Sequence, residues 1–323
     1  MTFIPGTNDI ALLEQAMRCS LAASIDYIFE TVGERLAVVP EDVRQAAAAI
    51  RSHRVPPSLF GHYFQLVMAA QASDFISASV HLSNIVKTAK HTPGLTVGLF
   101  TEASLGENMR LFRELIDPDP GTSPWLCSPV AADGFEQRVR DSLALIAVAD
   151  PALADELNGL VIQIVGAVPF SGSGARPFGS VSSFMLWGLL IVNMIRYRTA
   201  ADLIQGLVHE AAHLLLFAHS TEEPMVTNAI EERYLSPLRP DPRPMDGVFH
   251  ATFVSARIYH VNRKLREAST AAFQPVAMAE LDDRLTLTRE LYFGGLKTVR
   301  DHAKLTRTGQ RILEETADYM QTS

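Results

Sequence analysis

His209-Glu210-Ala211-Ala212-His213 lies in a run where nearly every other residue is apolar, and no other feature limits the fold of this chain as strongly. Leu207, Val208, Leu214, Leu215 and Leu216 surround it. In a helix, residues four apart lie on one face, so both imidazoles reach a common point while Glu210 faces an adjacent direction. A helix apolar nearly all round is buried, and a buried histidine pair beside a carboxylate needs polar partners. A metal ion supplies them, so His209 and His213 are candidate metal ligands and Glu210 a candidate catalytic carboxylate. The bland alternative is a coincidental match with two surface histidines.

A catalytic metal needs a third protein ligand and open positions beyond it. His219 completes HEAAHLLLFAH, but the extended pattern it imitates needs Gly where this chain has Leu216, and a helix that continues carries His219 away from the pair. Glu231 and Glu232 lie at a separation a thermolysin-like protease uses, within NAIEERYLSP, a segment that ends in a turn. His250 is the preferred third ligand, early in a helical pattern from Gly247 to Ser269 with Phe253, Val254 and Arg257 on its inward face. Its alternative is a core histidine hydrogen-bonded elsewhere. Arg257, two turns on, and Arg239 and Arg243 in the proline-rich SPLRPDPRP are candidates to clamp a carboxylate bidentately. The competing expectation is that they pair with Asp241, Asp246 or Glu231.

Periodicity predicts amphipathic helices from Asp9 to about Gly33 and from Pro40 to His53, and a long one from Leu59 to Thr92. Pro118 to Gly134 reads as a loop, with a domain boundary near Phe135. Residues 1–135 are then an N-terminal helical region and 136–323 a metal-binding catalytic region, or the two form one globule. Glu136 to Asp150 reads as helix. Leu160 to Val168, apolar and β-branched between Asn158-Gly159 and Pro169, reads as a buried strand. Ser171 to Gly174 is a loop, and Phe178 to Asn193 is a second strand or a hairpin bent at Gly188. Helix resumes from Thr199 to Ala218, and two or three more follow from Ala277 to Met320. The fold expected is α+β, predominantly helical, with a small sheet or hairpin beside the HEAAH helix.

The formal net charge of -8 leaves no basic surplus for a phosphate backbone, which argues against nucleic acid as a partner. Cys19 and Cys127 match no ligand spacing and no disulfide framework. Phe184 to Val192, the most apolar stretch, falls short of the ~20 residues a bilayer span needs, so no membrane partner is expected. MTFIPGTNDIALLEQ has no basic segment followed by an apolar run, and a cytoplasmic location is expected. The apolar N-terminal helices serve either as core or as a homodimer interface.

From about Val161 to Thr308 the chain resembles the HExxH-motif peptide-modifying proteins encoded beside ribosomally made peptide natural products (RiPPs). The resemblance rests on LVHEAAH, on SPLRPDPRPMDGVFHATFVSAR and, more weakly, on HAKLTRTG. It implies an iron(II)- and 2-oxoglutarate-dependent dioxygenase, an oxidoreductase that hydroxylates a side chain, typically at the β-carbon, in a precursor peptide. It also implies His209, His213 and His250 as the metal ligands, with Arg257, Arg239 or Arg243 for the distal carboxylate of 2-oxoglutarate. The N-terminal region is then the part that recruits the peptide.

Two other functions stay open. In a zinc metallopeptidase, Glu210 is the general base for a metal-bound water. In a non-enzymatic peptide-binding scaffold, a structural metal is closed by four side chains. In the oxygenase reading, Glu210 instead orients water, substrate or a ligand histidine. A substrate peptide is expected to add as an extra strand along Phe178 to Asn193, with Ser171, Ser173 and Arg176 near its mouth. An ordinary polar hairpin loop is the alternative for those three residues.

Overall fold

Helix dominates the chain, and its boundaries have local causes. The computed structural model describes residues 3–5, 7–90, 94–116, 124–125, 132–169, 179–236, 239–270 and 276–323, without the side chains of 7–9, 124–125, 169 and 239–240. Helices α1 (Thr7–Val32) and α2 (Pro40–Ser52) follow the first two periodic stretches, and Pro40 opens α2 where an absent N–H costs nothing. The expected long helix is two, α3 (Pro57–Gln71) and α4 (Phe75–Thr88). The chain breaks at Ser73, with φ of +58°, and at Asp74, whose carboxylate accepts from the Ser77 N–H at 3.0 Å and caps α4.

The strand β1 (Thr96–Leu99) and helices α5 (Glu102–Leu105) and α6 (Asn108–Ile116) come next, then β2 (Pro124–Trp125). Helix α7 (Phe135–Ala149) is followed at once by α8 (Pro151–Leu160), whose start is capped by Asp150. The strand expected from Leu160 therefore begins later, as β3 (Gln163–Pro169). After it come β4 (Ser180–Val181) and β5 (Leu189–Asn193), with Gly188 at φ +93° turning the chain into β5. Helix α9 (Ala200–His219) carries HEAAH. The proline-rich segment forms a short antiparallel hairpin, β6 (Tyr234–Ser236) and β7 (Arg239–Arg243), before α10 (Met245–Ala268), α11 (Met278–His302) and α12 (Arg307–Thr322). The fold is a predominantly helical α+β arrangement, as expected. Among the described residues no helix is long and apolar enough to cross a membrane. Cys19 is a free thiol, and Cys127 lies outside the described residues.

The chain divides into two compact units, one of residues 11–136 and 158–196, the other of 1–10, 137–157 and 197–323. Residues 158–196 group with 11–136 and not with 197–323. In the first unit a mixed sheet runs β1-β3-β5-β4, with β2 paired to β3. Its parallel strands β1, β3 and β5 are nearly continuous apolar runs, and Phe100, Phe112, Leu115, Val165, Leu186 and Ile191 are among the residues of its core. Within 178–193, β5 has β3 on one side and β4 on the other at Ile191 and Val192, so β4 is the edge of the sheet there. This sheet and the HEAAH helix belong to different units, and the strand pair within the helix's own unit is β6–β7.

The second unit is built on α9, α10, α11 and α12, and α10 buries charge along its length. Arg257, 1% exposed, ion-pairs with Glu156 through Nη2 and donates from Nη1 to the Phe3 carbonyl at 2.7 Å. Burial raises the Glu156 carboxyl above its ordinary range, and the guanidinium beside it opposes that rise. One turn on, His260 Nε2 lies 2.6 Å from Asp150 Oδ2 and its Nδ1 lies 2.8 Å from the Tyr319 hydroxyl. The Phe3 ring packs on Phe253, His260 and Tyr319, which ties the start of the chain into this network.

Removing one member of a buried ion pair strands the other, so Arg257→Met alone is expected to cost about 3–5 kcal/mol in urea denaturation, and Glu156→Gln with Arg257→Met to recover most of that. A single-variant loss below about 1 kcal/mol, the range of exposed pairs, contradicts this account of α10.

Candidate metal centre

Helix α9 starts cleanly because Thr199 caps it, its hydroxyl accepting from the Asp202 N–H at 3.1 Å, with Asp202 in the first turn where the helix dipole favours an anion. It then runs without interruption to His219, past Leu216. His209 and His213 project from one face, with their Nε2 atoms 3.3 Å apart and ring centroids 5.0 Å apart. Phe217 continues the same stripe one turn later, its ring 6.3 Å from His213.

Helix α10 supplies the third imidazole. Pro244 stands at its N-cap, so the helix begins at Met245 and His250 falls in its second turn. His250 is 7% exposed, with Nδ1 3.1 Å from His213 Nδ1 and its ring nearly parallel to that of His213, at 19°. Phe217 lies 5.4 Å from His250 and so packs on both rings. Glu210 is 3% exposed, and its Oε1 stands 3.8 Å from His209 Nε2.

Do these residues fit a metal? Two imidazole nitrogens that share an ion at about 2.0–2.1 Å stand roughly 3.0–3.4 Å apart, depending on the angle between them. The separations of 3.3 and 3.1 Å fall in that range. His213, however, turns Nε2 to His209 and Nδ1 to His250, and among the described residues no three His, Cys, Asp or Glu side chains already form a metal cage. A half-turn of the His213 ring about Cβ–Cγ exchanges Cε1 with Nε2. The single Nε2 then stands between the positions now facing His209 and His250. The χ2 torsion of histidine is broad and roughly two-fold, so this change needs no movement of the backbone. Two of the three donors also have the right protonation. Burial pulls His213 down to about 3, with Glu210 opposing and the neighbouring histidines adding to the effect, and burial alone pulls His250 down to about 4. Both are neutral bases near pH 7, the form in which imidazole binds a metal.

The remaining residues singled out from the sequence distribute as follows. Arg257 is engaged by Glu156 and the Phe3 carbonyl, not by Asp241, Asp246 or Glu231, because a guanidinium buried so deeply needs an adjacent counter-charge. Arg243 is 37% exposed at the end of β7, its Nε 3.7 Å from Asp241 Oδ2 and without a hydrogen bond. The side chain of Arg239, and all of Ser171, Ser173 and Arg176, lie outside the described residues. His219 lines a small cavity with Phe3, Leu215, Phe253 and Glu315, away from the three imidazoles. Glu232 is held by the Tyr234 hydroxyl and by Asn228 Nδ2, and these contacts keep its carboxyl below the ordinary range; Glu231 is exposed.

Sequence reasoning missed Phe217 and offered Asp246 only as a possible partner of an arginine. Phe217 continues the His209–His213 spacing by one further turn, and Asp246 precedes His250 by four residues, with Oδ1 3.8 Å from His250 Nε2. Both were available from the i, i+4 rule. Comparison with known proteins adds no name: no family model matches the chain, and no curated protein matches its sequence.

The depressed histidines fix an acid response. An unfolded imidazole protonates below its ordinary 6.5, whereas the folded ones stay neutral to about 3 and about 4, so the unfolded state binds more protons across that interval. Their contribution to stability is complete above 6.5 and is lost as pH falls from there towards the folded values. Metal-free protein is expected to melt at progressively lower temperature from about pH 6.5 down to about pH 4, less steeply in a His213→Leu/His250→Leu variant. Equal slopes in the two proteins contradict the burial of these rings.

Proposed function

We propose that the chain is an iron(II)- and 2-oxoglutarate-dependent oxygenase that hydroxylates a side chain, at the β-carbon, of a ribosomally made precursor peptide. The observation that carries the metal-dependent part is the convergence of the His209, His213 and His250 imidazoles, with ring centroids 5.0 and 5.3 Å apart. The resemblance of LVHEAAH and SPLRPDPRPMDGVFHATFVSAR to the HExxH peptide-modifying proteins supports the rest.

His209, His213 and His250 hold the metal, and three protein ligands leave positions for co-substrate and dioxygen. With 2-oxoglutarate and dioxygen, iron(II) supplies the oxidising chemistry that places oxygen in a C–H bond while the keto acid becomes succinate and carbon dioxide. The chain's own part is positioning. Of the three arginines proposed for the distal carboxylate of 2-oxoglutarate, Arg243 has a half-buried guanidinium whose Nε has no hydrogen bond, whereas Arg257 is neutralised by Glu156. Glu210, buried beside His209, accepts a hydrogen bond from water, substrate or a ligand ring. Phe217 packs on the rings of His213 and His250.

A second reading, a zinc metallopeptidase, draws support from the same Glu210, whose carboxylate lies 3.8 Å from the His209 nitrogen that faces His213. There Glu210 is the general base that takes a proton from water.

Anaerobic addition of iron(II) and 2-oxoglutarate separates the two. The oxygenase is expected to develop the broad visible absorption of a chelated keto acid in the wild type, and to lose it in His213→Ala and His250→Ala. Absence of the band, together with tightly held zinc and peptide cleavage that disappears in Glu210→Gln, contradicts it and supports the peptidase.

A further inference from the structure

The two ring nitrogens of His250 face different groups. Nδ1 is 3.1 Å from His213 Nδ1, and Nε2 is 3.8 Å from Asp246 Oδ1, one turn earlier on the same helix. A neutral imidazole carries one N–H and one lone pair, and the partner of one nitrogen decides which nitrogen holds the proton. A carboxylate beside Nε2 draws the proton there and leaves the lone pair on Nδ1. We propose that Asp246 is a positioning residue that accepts a hydrogen bond from His250 Nε2–H, fixing the ring so that Nδ1 is the nitrogen offered to the metal.

Three observations support this. His250 is 7% exposed, so its Nε2 proton needs an acceptor nearby, and among the described residues Asp246 is a carboxylate within ion-pair reach of it. The Asp246 side chain is 57% exposed, and its Oδ1 stands 3.8 Å from His250 Nε2, within ion-pair reach. Asp246 also precedes His250 by four residues on α10, so the two side chains lie on one face of the helix. Partners of this kind orient ligand histidines and raise their basicity, and their loss typically weakens metal binding about 10–100-fold.

The inference rests on the metal reading above, and one experiment separates the two. Zinc(II) affinity is measured by competition with a chromophoric chelator for wild type, Asp246→Ala, Asp246→Asn, His213→Ala, His250→Ala and the Asp246→Ala/His250→Ala double variant. The melting temperature of each metal-free protein is recorded alongside. Asp246→Ala is expected to bind zinc about 10–100-fold more weakly than wild type, with Asp246→Asn intermediate because its amide oxygen still accepts a hydrogen bond. In the His250→Ala background the Asp246 substitution is expected to change nothing further. If Asp246 serves only the helix start, the metal-free melting temperature falls while zinc affinity stays at the wild-type value, and the inference is overturned. It is equally overturned if Asp246→Ala abolishes binding as His213→Ala does, since Asp246 would then be a ligand itself, or if its effect persists without His250. Failure of the wild type to bind zinc overturns the metal reading and this inference together.

Discussion

The candidate metal centre of the second unit depends on the burial of α9. Its apolar circumference forces it inside, and Glu210 goes in with it, His213 lies partly buried, and the His209 side chain stays 41% exposed. Leaving a buried carboxylate and a partly buried imidazole without partners in a medium of low dielectric is costly. Helix α10 answers this by placing His250 against His213, and Phe217 packs on the two rings so that the imidazoles touch one another. The same burial keeps His213 and His250 neutral, so the environment that excludes water also prepares the nitrogen lone pairs for a metal.

Helix α10 is the second constraint because it carries polar groups at both ends of its buried face. Near its start, His250 meets the α9 stripe; further along, Arg257 meets Glu156 and His260 joins Asp150 to Tyr319. For Asp150, burial raises the carboxyl, but hydrogen bonds from His260 and the Leu153 N–H outweigh it and hold it below its ordinary value. These contacts bring α8, α12 and Phe3 to one helix, so the geometry of His250 depends on residues far away in sequence.

Much of the local structure was legible because helix and strand signals are local. The HEAAH spacing, the N-cap at Thr199 and the turn at Gly188 can each be read from a few neighbours. The break between α3 and α4 was missed because apolar periodicity continues across Ser73-Asp74, and the cap outweighs it. The strand β1 was missed because Thr96–Leu99 is too short to show alternation, and its register is set by parallel pairing with β3, more than sixty residues on. The hairpin β6–β7 was hidden by its prolines, which edge strands tolerate. For the site, His250 was placed by helical periodicity. The partner of Arg257 was not, because Glu156 lies 101 residues earlier and no local rule joins them.

The account's central claim is that His209, His213 and His250 bind one metal together. X-ray absorption at the zinc edge of the zinc-loaded protein tests it most directly, because scattering from imidazole rings reports how many of them are coordinated. The account predicts three imidazoles on the metal in the wild type and two in His250→Ala; two imidazoles in both proteins would contradict it.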